Sequence, residues 1–371
     1  MSIVFSEDQE ELRRTVRAFL DQKSPESEVR RLMETDEGYD PTVWQQMGEQ
    51  LGLQGLAIPE EYGGSGFSFV ELGIVLEEMG RRLLCAPYFS TAVLAAYTLL
   101  YSDDETAKKR WLPGIATGET IATLALTEPS GRWDEAGVTA TATEADGGWT
   151  ISGTKSFVLD GLVADLLLVV ARTPAGTSLF AVAGDAPGLT RSPLMTLDLT
   201  RKQAQLELAD VPATLIGADG AAWPVIERVI ELAVVALSAE QMGGAQFALD
   251  MAVEYAKVRV QFGRVIGSFQ AIKHKCADML MAVEAAKSGA YDAWACVASG
   301  APELPEAAAI AKSACSEAYL YVAAENIQIN GGMGFTYEHP AHLYLRRAKT
   351  TELLFGSPAH WRELLAQHIG V

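Results

Sequence analysis

Cysteine and long apolar runs are both scarce in this sequence. Its 371 residues include four cysteines and no Cys-x-x-Cys pair, so we expect small buried thiols in a reducing environment. No run of about 18 apolar residues is present, and we therefore expect no membrane-spanning helix. The first residues lack a basic leader followed by an apolar stretch, so we expect no secretory signal and a cytoplasmic location.

Positive charge is also in short supply. The chain has 29 Lys and Arg against 48 Asp and Glu, which gives a formal net charge of −19. Such a field repels nucleic acid phosphates and anionic membranes, so neither is expected as a partner. A phosphorylated cofactor is still compatible with this charge, because its site needs only local donors.

Several cofactor and metal motifs are missing. The five histidines form no His-Glu-x-x-His or comparable ligand set, so no metal site is expected. No Gly-x-Gly-x-x-Gly follows a strand-like run, no Gly-x-x-x-x-Gly-Lys-Ser/Thr is present, and strand-like runs do not alternate with helix-like ones. These absences argue against a doubly wound dinucleotide-binding fold.

The pattern of apolar residues changes twice along the chain. Residues 1–118 are helical in pattern and begin with a capping box formed by Ser6 and Gln9. Residues 119–222 hold short β-branched runs separated by Gly, Pro and Asp, which predict an antiparallel β-domain. Residues 223–371 hold long Ala-rich helices with wide apolar faces, which predict a bundle and subunit association. The predicted fold class is α+β, with an N-terminal helical domain, a central antiparallel β-domain and a C-terminal four-helix-bundle-like domain.

Five local motifs stand in order along nearly the whole chain. They read IPEEYGGSG at 58–66, LTEPSGRWD at 126–134, ISGTKSFV at 151–158, RVQFGRVIGSFQ at 259–270 and QINGGMGFTYEHPAHLYLRRAK at 328–349. Each is weak alone, but the ordered set resembles the acyl-CoA dehydrogenase family.

The resemblance implies an enzyme with bound FAD that acts on a CoA thioester. Two hydrogens leave in trans: a carboxylate takes the α-proton, and flavin N5 takes hydride from Cβ. The resemblance also implies an electron-transferring flavoprotein as oxidant and a homo- or hetero-oligomer, arranged as a dimer of dimers.

The resemblance also assigns residues to the cofactor. Leu126 and Thr127 are expected beside the flavin ring, with backbone groups and the Thr127 hydroxyl available to it. Phe157 and Val158 match the strand that flanks the ring, and Arg259 matches a ligand of the FAD diphosphate supplied from a neighbouring subunit. The remaining members of the contact set are Phe262, Gln270, Gln328, Gly331 and Gly332. A helix-ending turn is the alternative explanation for the two glycines.

The usual catalytic base of the family is missing. Where many members have Glu before Gly, this chain has Phe355, and a second family position on the long helix is Ala233. Glu240, seven residues after Ala233, lies on nearly the same helical face, about 10 Å further along the axis. A carboxylate among Ala, Leu and Met is costly to bury without purpose, so Glu240 is the candidate base. A structural bond from Glu240 to a neighbouring helix is the alternative.

Four other glutamates are weaker candidates for the base. Glu231 is roughly half a turn out of phase with Glu240, so both cannot face one acyl chain. The pattern around Glu352 and Glu338 fits solvated positions, and Glu128 is expected to shape the turn of its motif.

Two departures from the family pattern affect the site. Arg132 and Trp133 stand where Gly-Ser often lets the backbone approach flavin, and Val234 stands where an Arg is expected. Three functions are therefore open: an autonomous dehydrogenase using Glu240, one subunit of a heteromeric enzyme whose partner completes the site, and a non-catalytic scaffold. Other flavin chemistry, such as an oxidase, is a fourth.

Overall fold

A computed structural model describes residues 5–145 and 147–371. Its α-helices are α1 Glu7–Lys23, α2 Glu26–Met33, α3 Pro41–Glu49, α4 Phe69–Arg81, α5 Ala96–Tyr101, α6 Glu105–Thr117, α7 Trp223–Val258, α8 Gln270–Ser299, α9 Leu304–Asn330, α10 Ala341–Leu353 and α11 Pro358–His368. Its strands are β1 Ala122–Ala125, β2 Thr141–Ala145, β3 Gly148–Leu159, β4 Leu166–Thr173, β5 Gly176–Ala183, β6 Leu189–Pro193, β7 Gln203–Ile216, β8 Val260–Gln261 and β9 Arg264–Val265.

The chain divides into two compact units. The first combines the N-terminal residues up to Val29 with Phe69–Leu84 and Val234–Val371. The second combines Arg30–Ser68 with Cys85–Ala233. The boundaries of the three domains inferred from the sequence stay a prediction. The division into two units follows contacts in the folded structure, whereas those boundaries follow the pattern of apolar residues. No helix in the described ranges is long and apolar enough to cross a membrane.

The first unit opens with the predicted capping box. Ser6 N donates to Gln9 Oε1 at 2.9 Å, and Gln9 N donates to Ser6 Oγ at 3.2 Å, which satisfies two of the free N–H groups at the start of α1. Further along α1, Arg17 forms two hydrogen bonds to the buried carboxylate of Glu78 on α4. The capping-box prediction is confirmed.

Two glycines let α4 and α7 approach closely in the first unit. A Cβ at Gly80 would lie 2.0 Å from the backbone oxygen of Glu240, and a Cβ at Gly243 would lie 1.8 Å from that of Glu77. Since no side chain fits at either point, the two backbones are in direct contact. The crossing places Glu240 in the interior of this unit, where it is 7% exposed.

Helix α9 is the centre of the C-terminal bundle and packs against α8, α10 and α11. Its fully buried Lys312 donates to the backbone oxygens of Thr351 and Glu352 at the end of α10. An ammonium group there complements the negative end of the helix dipole. Burial lowers the pKa of Lys312 to about 7, against the attraction of Glu352.

The second unit is built around a seven-stranded sheet in the order β1-β4-β2-β3-β7-β5, with β6 paired to β7. Because β5 pairs with β4 as well as with β7, five strands form a closed ring in the order β4-β2-β3-β7-β5. Five pairings are antiparallel, as predicted, whereas β1 and β2 run parallel to β4. The connection from β1 to β4 contains β2 and β3, and that from β2 to β4 contains β3, so each is long enough for the crossover that a parallel pair needs.

The close helix crossing predicts different outcomes for two glycine substitutions. Gly243→Ala should destabilise the protein by about 1–3 kcal/mol, because the new methyl group forces α4 and α7 apart. The control is Gly289→Ala on α8, where a Cβ would meet its nearest atom at 3.7 Å. This control should be neutral or stabilising by up to about 1 kcal/mol through helix propensity. Urea unfolding measures both changes, and equal effects would contradict the crossing.

Candidate active site

The predicted flavin segment follows β1 in the second unit. Leu126 and Thr127 are 5% and 3% exposed. Ser156 N of β3 donates to Thr127 O at 2.9 Å, and Thr127 Oγ1 donates to Ser156 O at 2.6 Å. The hydroxyl proton of Thr127 is therefore used within the protein. The hydroxyl of Thr127 can therefore only accept a hydrogen bond from a cofactor, which restricts the role expected from the sequence.

A β-bulge in β3 explains why Ser156 bonds to Thr127. The register shifts between Lys155 and Val158, where β3 advances three residues while β7 advances two. The extra residue releases Ser156 from the ladder and bends the strand. Phe157 at the bulge has a φ of +59° and is 40% exposed. Such a conformation is rare for a bulky residue and marks local strain.

Two buried backbone donors of this segment have no partner within the described ranges. No hydrogen bond there uses the N–H of Leu126 or of Thr127, although both residues are buried. Buried backbone N–H groups are paired in the great majority of cases. These two donors fit a flavin, whose ring system carries carbonyl and nitrogen acceptors along one edge. The exposed ring of Phe157 follows Ser156, which bonds to Thr127.

A buried ion pair supports the same segment. Lys155 Nζ lies 2.7 Å from Glu128 Oε1, and this oxygen also accepts from the backbone N–H groups of Thr139 and Ala140. Burial acts to raise the pKa of Glu128, but the attraction of Lys155 and the bond from Ala140 outweigh it, so this pKa lies below its usual value. Burial lowers the pKa of Lys155 to about 8, against the attraction of Glu128.

Glu128 therefore shapes its turn, as the sequence predicts, and is not placed as a base. Lys155 is absent from the predicted site, although one signal for it was present. A lysine inside the strand-like run ISGTKSFV belongs to a residue type that is almost never fully buried unless it is paired.

The structure shows the surroundings of Arg132 and Val234, two of the residues that depart from the family pattern. Arg132 donates from Nε and Nη2 to the carboxylate of Asp134, at 2.9 and 2.5 Å, on the surface of the turn after the flavin segment. Its charge is thus balanced within its own turn. Val234 is fully buried in α7.

Three predicted cofactor residues surround the β8–β9 hairpin of the first unit. Arg259, Phe262 and Gln270 are all exposed, Phe262 to 92% and with a φ of +53°. Within the described part of the chain, the guanidinium of Arg259 has no hydrogen-bond or ion-pair partner, whereas Arg264 lies over the Phe269 ring. An exposed guanidinium without an internal partner suits a ligand held from outside the protomer.

The predicted adenosine diphosphate turn begins where α9 ends. Gln328, Gly331 and Gly332 are exposed. Gly331 has a φ of +60° and a ψ of −137°, a conformation that glycine alone adopts readily. A Cβ at Gly331 or at Gly332 would meet nothing within 4 Å. A helix-ending turn thus explains Gly331, but neither that turn nor packing requires Gly332.

The position of the usual base is occupied by a buried phenyl ring. Phe355 is 3% exposed and has a φ of +59°, and its backbone oxygen accepts from Trp361 Nε1 at 2.8 Å. Gly356 follows with a φ of +100°. The bond from Trp361 fixes the backbone of this strained turn, but the phenyl ring of Phe355 cannot accept a proton.

Glu240, the candidate base, lies on α7 in the first unit. Arg347 of α10 is 3% exposed, and its Nη1 lies 4.0 Å from Glu240 Oε2. The guanidinium offsets the cost of burying a carboxylate among apolar side chains. A cation on a neighbouring helix is the arrangement that the structural alternative anticipated, so the geometry is compatible with both roles of Glu240.

Two of the other glutamates are engaged in local ion pairs. Glu231 accepts from Arg228 at 3.0 Å, and Glu352 pairs with Lys349 at 2.5 Å, each within one helical turn. Glu338 lies in an exposed position. Glu240 differs from these three in being buried, at 7% exposed, and in pairing with a cation of another helix.

Comparison with known proteins assigns the family. Models of the N-terminal, middle and C-terminal domains of acyl-CoA dehydrogenases match residues 6–119, 123–211 and 220–370. The acyl-CoA dehydrogenase IpdE2 of Mycobacterium tuberculosis is 35% identical over 362 residues, which cover 97% of this chain and 95% of that protein. This chain belongs to the acyl-CoA dehydrogenase family. The predicted fold class is confirmed, and the chain is an oxidoreductase of this family.

Solved structures of family members share the fold over the full length. Butyryl-CoA dehydrogenase from Megasphaera elsdenii superposes with a TM-score of 0.93 at 28% identity and covers 100% of both chains. A chain of the ChsE4–ChsE5 complex from Mycobacterium tuberculosis superposes with a TM-score of 0.89 at 29% identity, covering 100% of this chain and 99% of that one. The family and these structures support acyl-CoA dehydrogenation.

The buried Lys155 predicts a specific pH dependence of stability. Its folded-state pKa of about 8 lies below the ordinary value of 10.5, so in that window the unfolded chain binds more protons at this residue. Stability therefore rises with pH there, by at most about 1.4 kcal/mol per pH unit. Urea unfolding should give a steeper rise for the native protein than for Lys155→Met. Lys312 is common to both proteins and cancels; equal slopes would show that Lys155 titrates normally.

Proposed function

We propose that this chain catalyses FAD-dependent α,β-dehydrogenation of an acyl-CoA thioester. The segment after β1 carries the proposal, because Leu126 and Thr127 offer two buried N–H donors without internal partners. The exposed ring of Phe157 adds an aromatic surface beside them. When bound, FAD supplies N5 as the acceptor of the β-hydride.

Further residues are proposed to hold the cofactor. Val158 ends the bulge in β3 and is 1% exposed. Arg259 is proposed to bind the diphosphate of a flavin in a neighbouring subunit, where a planar guanidinium can donate to two phosphate oxygens. Gly331 and Gly332 leave room for a phosphate, and the N–H of Gly332 is the proposed donor, because the N–H of Gly331 already donates to Gln328 O at 3.2 Å. The other proposed contacts are Phe262, Gln270 and Gln328.

Glu240 is proposed as the group that takes the α-proton. Its carboxylate is shielded from bulk water, whereas those of Glu231 and Glu352 are more exposed and pair with cations of their own helices. Arg347 Nη1, 4.0 Å from Glu240 Oε2, compensates the buried charge. Proton transfer to a buried carboxylate avoids competition from solvent, which is how such groups serve as general bases.

A second candidate function is that of one subunit in a heteromeric dehydrogenase. Phe355 cannot accept a proton, and the cation beside Glu240 matches a structural ion pair. The ChsE4–ChsE5 structure is described as a complex of two differently named chains. In this alternative, a partner chain completes the active site.

The oxidant, the oligomeric assembly and the cellular location are also proposed. An electron-transferring flavoprotein is the proposed oxidant, as the family resemblance implies. The exposed apolar side chains of the hairpin and of α8 support an oligomer, including Val260, Phe262, Leu280 and Met281. The four cysteines are free thiols, which supports a cytoplasmic location.

Removing the carboxylate of Glu240 tests the proposed base. Glu240→Gln should slow anaerobic bleaching of the bound flavin by acyl-CoA at least about 100-fold, because general bases contribute rate factors of that size. The control is Glu231→Gln, which alters a half-buried carboxylate on the same helix and should leave the rate unchanged. The measurement is stopped-flow absorbance with a panel of acyl-CoA thioesters.

Each alternative has its own outcome in this experiment. If Glu240→Gln is bleached as fast as the native protein, Glu240 is not the base. If native flavoprotein is bleached only after a second acyl-CoA dehydrogenase chain is added, the heteromeric enzyme is correct. Protein that takes up no flavin, either alone or with such a second chain, would contradict both and favour the scaffold.

A further inference from the structure

Four hydrogen bonds join the flavin segment to the bulge of β3. Two are the backbone and hydroxyl bonds between Thr127 and Ser156 described above. The other two come from a single ammonium group: Lys155 Nζ donates to Leu126 O at 3.1 Å and to Glu128 Oε1 at 2.7 Å. Lys155 is fully buried, so a side chain that normally reaches solvent is committed to this contact.

The bond to Leu126 O fixes more than the carbonyl it touches. In a trans peptide unit, the C=O of one residue and the N–H of the next lie in one plane and point in opposite directions. Holding the carbonyl of Leu126 therefore sets the direction of the N–H of Thr127. That N–H is one of the two buried donors without a partner in the described ranges.

Glu128 holds the ammonium group in place. Its carboxylate is anchored by the backbone N–H groups of Thr139 and Ala140 and by the Thr139 hydroxyl. A carboxylate with several donors has little freedom, so Lys155 is confined between it and the Leu126 carbonyl. The pair brings no net charge into the interior, which makes its burial tolerable.

We propose that Lys155 is a positioning residue of the flavin site: by holding the carbonyl of Leu126, it aims the N–H of Thr127 at an acceptor on the flavin. The inference rests on the proposed function, because it requires FAD beside this segment. It assigns separate tasks to the two buried charges. Lys155 orients the donor, whereas Glu128 compensates and anchors Lys155.

A purely structural ion pair predicts a different pattern of variants. If the pair only stabilises the fold, FAD affinity should follow stability in every variant. If Lys155 positions the donor, the two properties separate. Glu128→Gln keeps the ammonium group near Leu126 O, Lys155→Met removes it, and the double variant removes both charges while keeping an amide acceptor for Thr139 and Ala140.

The experiment measures FAD affinity, the absorption spectrum of bound FAD and the thermal midpoint of the flavin-free full chain. Glu128→Gln should lower the midpoint and weaken FAD much less than Lys155→Met does, because the amide oxygen can still accept from the ammonium group of Lys155. Lys155→Met should weaken FAD about tenfold, the loss of one well-directed hydrogen bond, and shift the flavin spectrum. The double variant should regain stability relative to Lys155→Met yet keep the weakened affinity and the shifted spectrum.

The outcomes separate this inference from the proposed function. Native-like affinity and spectrum in the double variant would overturn the positioning role of Lys155 while leaving the flavin site intact. Affinity that tracks the thermal midpoint across all three variants would also overturn it. Absence of FAD binding by the native chain would instead overturn the proposed function, and this inference with it.

Discussion

The β-bulge in β3 is the constraint on which the candidate flavin site depends. One extra residue between Lys155 and Val158 frees the backbone of Ser156 from β7 and lets it bond to Thr127. The same shift exposes the ring of Phe157 in a left-handed conformation. Without the bulge, Ser156 would pair along the ladder, and the segment after β1 would lose its partner. A local irregularity of the strand thus creates the binding surface.

Buried charge is the second constraint, and the two units handle it in the same way. Glu128 is compensated by Lys155 in the second unit, and Glu240 by Arg347 in the first. Each pair removes a cost that burial would otherwise impose. For Glu240, the same compensation leaves two roles open, because an ion pair with Arg347 is compatible both with a general base and with a structural contact. Chemistry at Glu240, rather than its burial, decides between an autonomous and a heteromeric enzyme.

Much of the architecture follows from sequence pattern alone. The long Ala-rich helices predicted for residues 223–371 are α7, α8 and α9, and the motif ISGTKSFV lies within β3 in the predicted β-domain. Short or irregular elements escape such patterns: β6, the two-residue strands of the hairpin and the π-helix at Phe89–Ala95. Their lengths are too short to show a period, so tertiary contacts decide their conformation.

The candidate site is less predictable for a physical reason. Motif resemblance could name Leu126 and Thr127, but a strand pattern carries no sign of a bulge, and the role of Lys155 arises from a contact 29 residues away in sequence. Likewise, the partner of Glu240 lies on α10, more than 100 residues further along. Side-chain pairing across such separations depends on the folded backbone rather than on local sequence.

One measurement tests directly whether the segment after β1 receives the flavin. Hydrogen–deuterium exchange of the full-length protein, resolved to residues 122–130, compares the flavin-free and FAD-bound forms. FAD should slow exchange at the amides of Leu126 and Thr127, because both become hydrogen-bond donors to the cofactor. FAD that binds with protection elsewhere and leaves these two amides unchanged would contradict this placement of the flavin.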